Sequence, residues 1–287
     1  MRPSSLIPFI DRDGEKPTRD EERTVSEGER ELDAGRGERS GPDGRGGQSG
    51  PDDVTARNIS GFDSDVEVDR YDRKVRDGLL AAEREVVDRY YEPGDAVLDV
   101  GCGVGRTTVQ LDERGMNVVG VDVSRGQIAR ARERFPELTL GVGDAVDLVF
   151  PDDAFDHVLF SNNGLDCIHP ESARLDALRE LRRVLDPNGT LAFSSRNMWY
   201  RFPALLFDRG FVSRYYLTPT NRRRLFDPYK RIEDEGGTFE LYSTTPRRQF
   251  TQLRECGFRP LAIVGKRRGI ARFFENRPYY VATPASE

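Results

Sequence analysis

The sequence predicts an α/β protein built on a doubly wound, mostly parallel sheet. Three observations carry this. Short apolar runs alternate with helical stretches through most of the chain. The apolar runs end in polar residues: Asp99, Asp122, Asp144 and Ser161. A glycine-rich loop, "GCGVGR", follows the first run directly. Strands spaced by helices form βαβ units, and ligands of such sheets bind outside the carboxyl ends of the strands.

The elements follow in order. Residues 1 to about 60 read as a disordered tail. "DAGRGERSGPDGRGGQSGPDD" holds Gly, Ser, Pro and mixed charge, with almost nothing apolar to bury. In "DRYDRKVRDGLLAAEREVVDRYYEPGD" the apolar positions Val75, Leu79, Leu80, Val86 and Val87 fall near helical spacing, and Pro93-Gly94 stops the pattern. "AVLDV" is the first strand, and a helix around Thr107 to Arg114 follows the loop. "NVVGVDV" is the second strand, and Ser124 caps the helix after it. "LTLGVGDA" and "FDHVLFS" are the third and fourth strands. A long helix with Leu175, Leu178, Leu181, Val184 and Leu185 on one face closes at Pro187-Asn188-Gly189. "TLAFSS" is the fifth strand.

Composition narrows the function. The chain has 287 residues, 33% of them charged, and a net charge of −6. It carries no overall basic field for nucleic acid. No apolar run reaches membrane-spanning length, and "MRPSSLIPFIDRDGEK" reads as neither signal peptide nor anchor. A cytoplasmic protein is expected. The three cysteines are far apart and the histidines number two, so neither a disulfide framework nor a metal site is expected.

The glycine loop selects the ligand. Gly101, Gly103 and Gly105 give G-x-G-x-G, and Arg106 stands where the dinucleotide fingerprint has its third glycine. Asp99 lies two residues before the first glycine, at the expected mouth of the loop. A pyrophosphate there would meet a like charge, and two such charges about 4 Å apart repel by several kcal/mol at an effective dielectric near 20. A cationic ligand with an amino group suits the carboxylate. Asp122, ending the second strand, suits ribose hydroxyls. Asp144 and the Ala145 backbone, ending the third strand, suit an adenine edge. S-adenosylmethionine carries all these groups. Alternatively, Asp99 caps a helix and Asp122 closes a turn.

The ordered segments "VLDVGCGVGR", "VVGVDVS", "GDA", "FDHVLF" and "LRELRRVLDPNGTLAFSS" resemble a class I S-adenosylmethionine-dependent methyltransferase of the small-molecule type, from about Tyr71 to Ser195. The resemblance implies a Rossmann-like, doubly wound, seven-stranded, mostly parallel sheet with an antiparallel last strand. "RPLAIVG" and "YYVATP" fit its last two strands, and "TPRRQFTQLRECGF" the helix before them. It implies S-adenosyl-L-methionine as cofactor. The implied binding set is Asp99, Gly101, Cys102, Gly103, Gly105, Asp122, Val123, Asp144, Ala145 and Ser161. Tyr71 resembles a residue of the family's lid helix, or is a plain core aromatic. Gly105 alternatively serves only helix packing. One domain over 61–287 is expected, with a cap insertion over 196–237.

The acceptor side is less defined. Methyl transfer needs alignment and sometimes a base, so no catalytic triad is required. In "SNNGLD", Asn162 is a candidate catalytic residue near the expected acceptor site and matches the asparagine of N-P-P-Y-type motifs, but Asn163-Gly164 replaces the prolines, which argues against base and amide acceptors. His169 is a candidate base, or an exposed residue at a helix entry; His157 reads as structural. The insertion after the fifth strand holds Trp199, Tyr200, Phe202, Phe207, Phe211, Tyr215, Tyr216, Phe226 and Tyr229. It is expected to fold as a helical cap with aromatic walls over an acceptor pocket. Arg222-Arg223-Arg224 suits a solvated face or an acidic small substrate better than RNA. A small-molecule acceptor is therefore expected. An RNA methyltransferase and a non-catalytic cofactor-binding partner protein stand as alternatives, and the oligomeric state is not legible.

Overall fold

In a computed structural model of the protein, residues 51–201, 227–234 and 237–286 are described. The strands are β1 (Ala96–Val100), β2 (Asn117–Asp122), β3 (Thr139–Val142), β4 (Phe155–Phe160), β5 (Leu185–Ser194), β6 (Tyr229–Asp234), β7 (Gly237–Tyr242), β8 (Phe258–Val264) and β9 (Tyr279–Pro284). Seven of them form one sheet in the order β3-β2-β1-β4-β5-β9-β8, while β6 and β7 pair as a separate hairpin. Strands β1 to β5 run parallel, and β9 is antiparallel to both of its neighbours. The sheet therefore has the architecture expected from the sequence.

The helices are α1 (Pro51–Phe62), α2 (Asp65–Lys74), α3 (Ala81–Tyr90), α4 (Arg106–Asp112), α5 (Arg125–Arg134), α6 (Glu171–Val184) and α7 (Pro246–Glu255). Every residue of β1 is buried, as a central parallel strand covered on both faces requires. Its side chains alternate between those faces. Ala96, Leu98 and Val100 join the core with Leu178, Leu181 and Val184 of α6 and Leu253 of α7. Val97 joins the other core with Val86 and Val87 of α3 and Leu111 of α4. Burying each such aliphatic side chain contributes about 1.5–3 kcal/mol. Helix starts follow their caps: the Ser124 hydroxyl accepts from the Gln127 N–H, and the Thr245 hydroxyl from the Arg248 N–H.

Three sequence expectations change. The tail does not extend to residue 60, because Pro51–Phe62 forms α1; residues 1–50 lie outside the described residues. Pro51 followed by Asp52 and Asp53 is the start signal of a helix, with an N1 proline and acids in the first turn. Asn58 then fixes α1 on the domain. Its amide nitrogen donates to the Cys167 and Glu240 carbonyls at 2.9 and 3.1 Å, and its oxygen accepts from the Glu240 N–H at 3.1 Å. Secondly, β5 starts at Leu185, so Pro187-Asn188-Gly189 belongs to an irregular stretch of strand rather than a turn before it. Thirdly, the described end of the insertion is the β6–β7 hairpin and not a helix.

One buried ion pair locks the N-terminal helices to the strand ends. Glu83 of α3 is fully buried, and its carboxylate accepts from both terminal nitrogens of Arg106 at 2.6 and 2.7 Å. The same carboxylate accepts from the Leu80 N–H at 2.6 Å, the Tyr279 hydroxyl at 2.7 Å and the Ser161 hydroxyl. Burial alone would raise its pKa, but Arg106, Ser161 and Tyr279 hold it below the usual glutamate range. Four separate segments thus meet on one charge.

Two stability outcomes follow from these contacts. Glu83→Gln leaves Arg106 without its counter-charge and should lower the unfolding free energy by about 3 kcal/mol in urea titrations. Asn58→Ala removes three bonds to buried backbone and should cost about 2 kcal/mol. An unchanged midpoint for Asn58→Ala would mean that α1 does not pack on the domain in solution.

Candidate active site

The carboxyl ends of all five parallel strands open into one cavity of about 670 Å³. Its size is within the range of small-ligand sites. The loop after β1 forms one wall. Gly101, Gly103 and Gly105 have φ values of 63°, 57° and 83°, a left-handed region that disfavours side chains. A Cβ at Gly101 would lie 2.7 Å from the Phe160 ring, and one at Gly103 would lie 2.6 Å from the Gln127 amide oxygen. Glycine at these two positions keeps the backbone itself at the cavity surface.

Most of the expected site residues meet there. Gly101, Cys102 and Gly103 line the cavity from the loop. Asp122 and Val123 line it after β2, Asp144 and Ala145 after β3, and Ser161 and Asn162 after β4. Tyr71 of α2 and His169 complete the group. Asp122 accepts from the Gly103 and Ser124 N–H groups, each at 2.8 Å, so it also braces the loop. Burial pushes its pKa up to about 6, against those two bonds.

Asp99 and Gly105 do not line the cavity. Asp99 is fully buried beneath the loop rather than standing at its mouth. Its carboxylate accepts from the hydroxyls of Thr107 and Thr108 at 2.6 and 2.7 Å, in the first turn of α4. The cause is position along the strand: Asp99 pairs with Gly120, two residues short of Asp122, and on the face it shares with Val97 it lies under α4. Its pKa is pushed up to about 6 by burial, against the two hydroxyl bonds. A Cβ at Gly105 would be 3.4 Å from Phe135 and 3.9 Å from Ala131, so this glycine serves the approach of α5.

The acceptor side departs further from expectation. Trp199 stacks on Phe274 at 6.0 Å, Tyr200 is 42% exposed, and neither lines the cavity. Phe202, Phe207, Phe211, Tyr215, Tyr216, Phe226 and Arg222 to Arg224 lie outside the described residues. Tyr229 packs edge-on against the His169 ring at 4.4 Å. His169 is half-buried, and its carbonyl accepts from the Thr55 hydroxyl at 2.7 Å. Asn162 and Asn163 both take left-handed φ values, 51° and 61°, and the Asn162 amide reaches the Tyr71 hydroxyl at 3.4 Å. His157 is away from the cavity, stacked on Tyr91 and bonded to Thr190 and Asp95.

Several lining residues were not foreseen. Thr55, Asn58, Ile59 and Phe62 come from α1, and Phe239 and Leu241 from β7. Their signals were the Pro-Asp-Asp helix start and the apolar alternation of "GTFELY". Arg70, Lys74, Arg106, Arg196 and Arg277 bring positive charge to the wall. Among the described residues no group of three or more His, Cys, Asp or Glu could hold a metal, and no helix is long and apolar enough to cross a membrane.

The cavity fits an adenosyl ligand in three respects. Backbone at Gly101 and Gly103 permits close approach. The Asp122 carboxylate stands at the strand end where ribose hydroxyls are held in such sheets. The Gln127 amide oxygen is buried on the cavity wall without a hydrogen-bond partner.

Comparison with known proteins agrees. The sequence profile of a family described as a methyltransferase domain matches residues 97–189. A demethylmenaquinone methyltransferase of Beutenbergia cavernae is 38% identical over 129 residues, which span 44% of this chain and about half, 51%, of that protein. A demethylmenaquinone methyltransferase of Symbiobacterium thermophilum is 35% identical over 189 residues, 60% of this chain and 72% of that protein. The crystal structure of a methyltransferase from Methanosarcina mazei superposes with a TM-score of 0.59 at 20% identity, covering 73% of this chain and all of that one. The profile and the relatives, together with a seven-stranded sheet whose β9 alone runs antiparallel, make this chain a member of the class I S-adenosylmethionine-dependent methyltransferases.

Proposed function

We propose that the protein transfers a methyl group from S-adenosylmethionine to a small-molecule acceptor with an apolar or aromatic body. The observation that carries this is the convergence of the β1 loop, Asp122 and Asp144 on one cavity that continues between Ile59, Phe62, Ile168 and Phe239. The two quinone-methylating relatives favour the same class of acceptor.

When bound, the cofactor supplies a methyl group on a positively charged sulfur, which leaves as a neutral thioether. No acid is needed for that departure, so the protein's task is placement. Asp122 holds the ribose through charge-assisted hydrogen bonds. Gln127 and Asp144 offer further acceptors to the nucleoside, and the Ala145 N–H offers a donor. Tyr71 and Asn162 cover the cavity from α2 and the β4 loop. His169 stands on the acceptor side, where its imidazole can take a proton from a hydroxyl acceptor. Phe62 of α1 and Phe239 of β7, whose rings are 4.9 Å apart, shield the site from water.

Calorimetry with S-adenosylhomocysteine tests the binding site. Asp122→Ala should weaken binding by about 1.5–3 kcal/mol. The carboxylate form is the one that binds, and its pKa lies near 6. Affinity should therefore hold above that value and fall about tenfold between pH 7.5 and pH 5, with a flatter profile in Asp122→Asn. Parent-like binding by Asp122→Ala would place the nucleoside elsewhere. Transfer of labelled methyl into host metabolites and not into RNA tests the acceptor class; the reverse result would overturn it.

A further inference from the structure

The cavity is electrically lopsided. Asp122 and Asp144 line the side beneath β2 and β3. The wall also carries Arg196, two residues after β5, Arg277, two residues before β9, and Arg70 and Lys74 from α2, which act electrostatically on Arg277 or feel its charge. Two of the wall's five cations have carboxylates of their own: Arg106 is held by Glu83, and Arg70 by Glu67 at 2.6 Å. The nearby Asp166 is committed elsewhere, accepting from Arg174, the Ser195 hydroxyl and the Arg196 backbone N–H.

Lys74, Arg196 and Arg277 form no salt bridge among the described residues. The Arg196 Nε is buried with no hydrogen-bond partner. These cations feel one another. Burial lowers the Arg277 pKa first, and repulsion from Arg196 and Arg70 lowers it further; burial, Arg70 and Arg277 lower that of Lys74. Two such charges about 6 Å apart repel by roughly 3 kcal/mol at an effective dielectric of 20. The proposed cofactor does not relieve this. Its carboxylate is offset by its own ammonium, and its sulfonium adds a positive charge.

We infer that the acceptor is an organic acid: an apolar or aromatic body lying between Phe62, Ile168 and Phe239, with a carboxylate held by Arg196 and Arg277. This inference rests on the proposed reading of the cavity and names its substrate class. The carboxylate turns an electrostatic cost of the empty wall into charge-assisted hydrogen bonds. It also fixes one end of the acceptor, so that the other end is aligned for reaction.

The test uses 2-naphthoate and its uncharged isostere 2-naphthamide, titrated calorimetrically into the full-length protein saturated with S-adenosylhomocysteine. Naphthoate should bind at least about tenfold more tightly than the amide, with the difference shrinking as salt rises. In Arg196→Gln/Arg277→Gln the preference should fall below about threefold, while S-adenosylhomocysteine still binds within about threefold of the parent. Lys74→Met, a single change on a different element, should reduce the preference in the same direction and serves if the double variant does not fold. Equal affinity for the two probes, no binding of naphthoate, or a parallel loss of S-adenosylhomocysteine in the arginine variant would overturn the inference; the last result would assign these cations to the cofactor's carboxylate. Failure of S-adenosylhomocysteine to bind the parent would instead overturn the cofactor site, and the naphthoate preference would then be read without it.

Discussion

The pairing of Glu83 with Arg106 is the constraint on which the site depends. Arg106 begins α4, where the helix dipole disfavours a cation. A dinucleotide-binding protein has a glycine at this place and leaves the helix end open for a phosphate. Here the guanidinium fills that place and turns toward α3, where the Glu83 carboxylate receives it. The helix terminus is closed to anions, and the protein supplies its own counter-charge. Because Glu83 also receives Ser161 and Tyr279, the same interaction sets α3 against the ends of β4 and β9. The loop, the strand ends and the helices that cover them form one assembly around a buried charge.

Asp99 belongs to the same logic. It stands before the loop, yet it faces inward and ties the first turn of α4 through Thr107 and Thr108. Asp122, at the end of the neighbouring strand, reaches the cavity and also receives the Gly103 N–H. Two aspartates offset by two residues in the sheet register thus divide the work: Asp99, paired with Gly120, holds the helix beneath the loop, and Asp122 braces the loop and lines the cavity. Both are pushed to a pKa of about 6 by burial, which the hydrogen bonds only partly offset.

How much of this was legible follows from how local each signal is. Apolar runs ended by Asp99, Asp122, Asp144 and Ser161 were enough to place the strands and to identify which ends open into the cavity, because the parallel sheet buries both faces of its strands. The direction of Asp99 was only half in the sequence: the two-residue period puts it on the face of Val97, but that this face lies under α4 is set by the fold. Helix α1 was hidden by composition. Its twelve residues average nearly neutral hydropathy, and it is held by Asn58 through bonds to backbone 109 and 182 residues away. No local pattern encodes such partners. The same applies to Arg277 and Arg196, 81 positions apart by number and brought to one wall only because β9 inserts beside β5.

That insertion gives the antiparallel strand a role in recognition. A parallel strand beside β5 would present its carboxyl end to the cavity. Because β9 runs the other way, its amino end faces the cavity, with Arg277 just before it and Tyr279 as its first residue. Tyr279 reaches the Glu83 carboxylate at 2.7 Å, so the segment carrying Arg277 is anchored two residues away by the interaction that closes α4 to anions. The positive wall and the neutralised helix terminus are therefore consequences of one arrangement. Anionic ligands are turned away from the loop, where the nucleoside lies in the proposed reading, and are left with the cations beside β5 and β9.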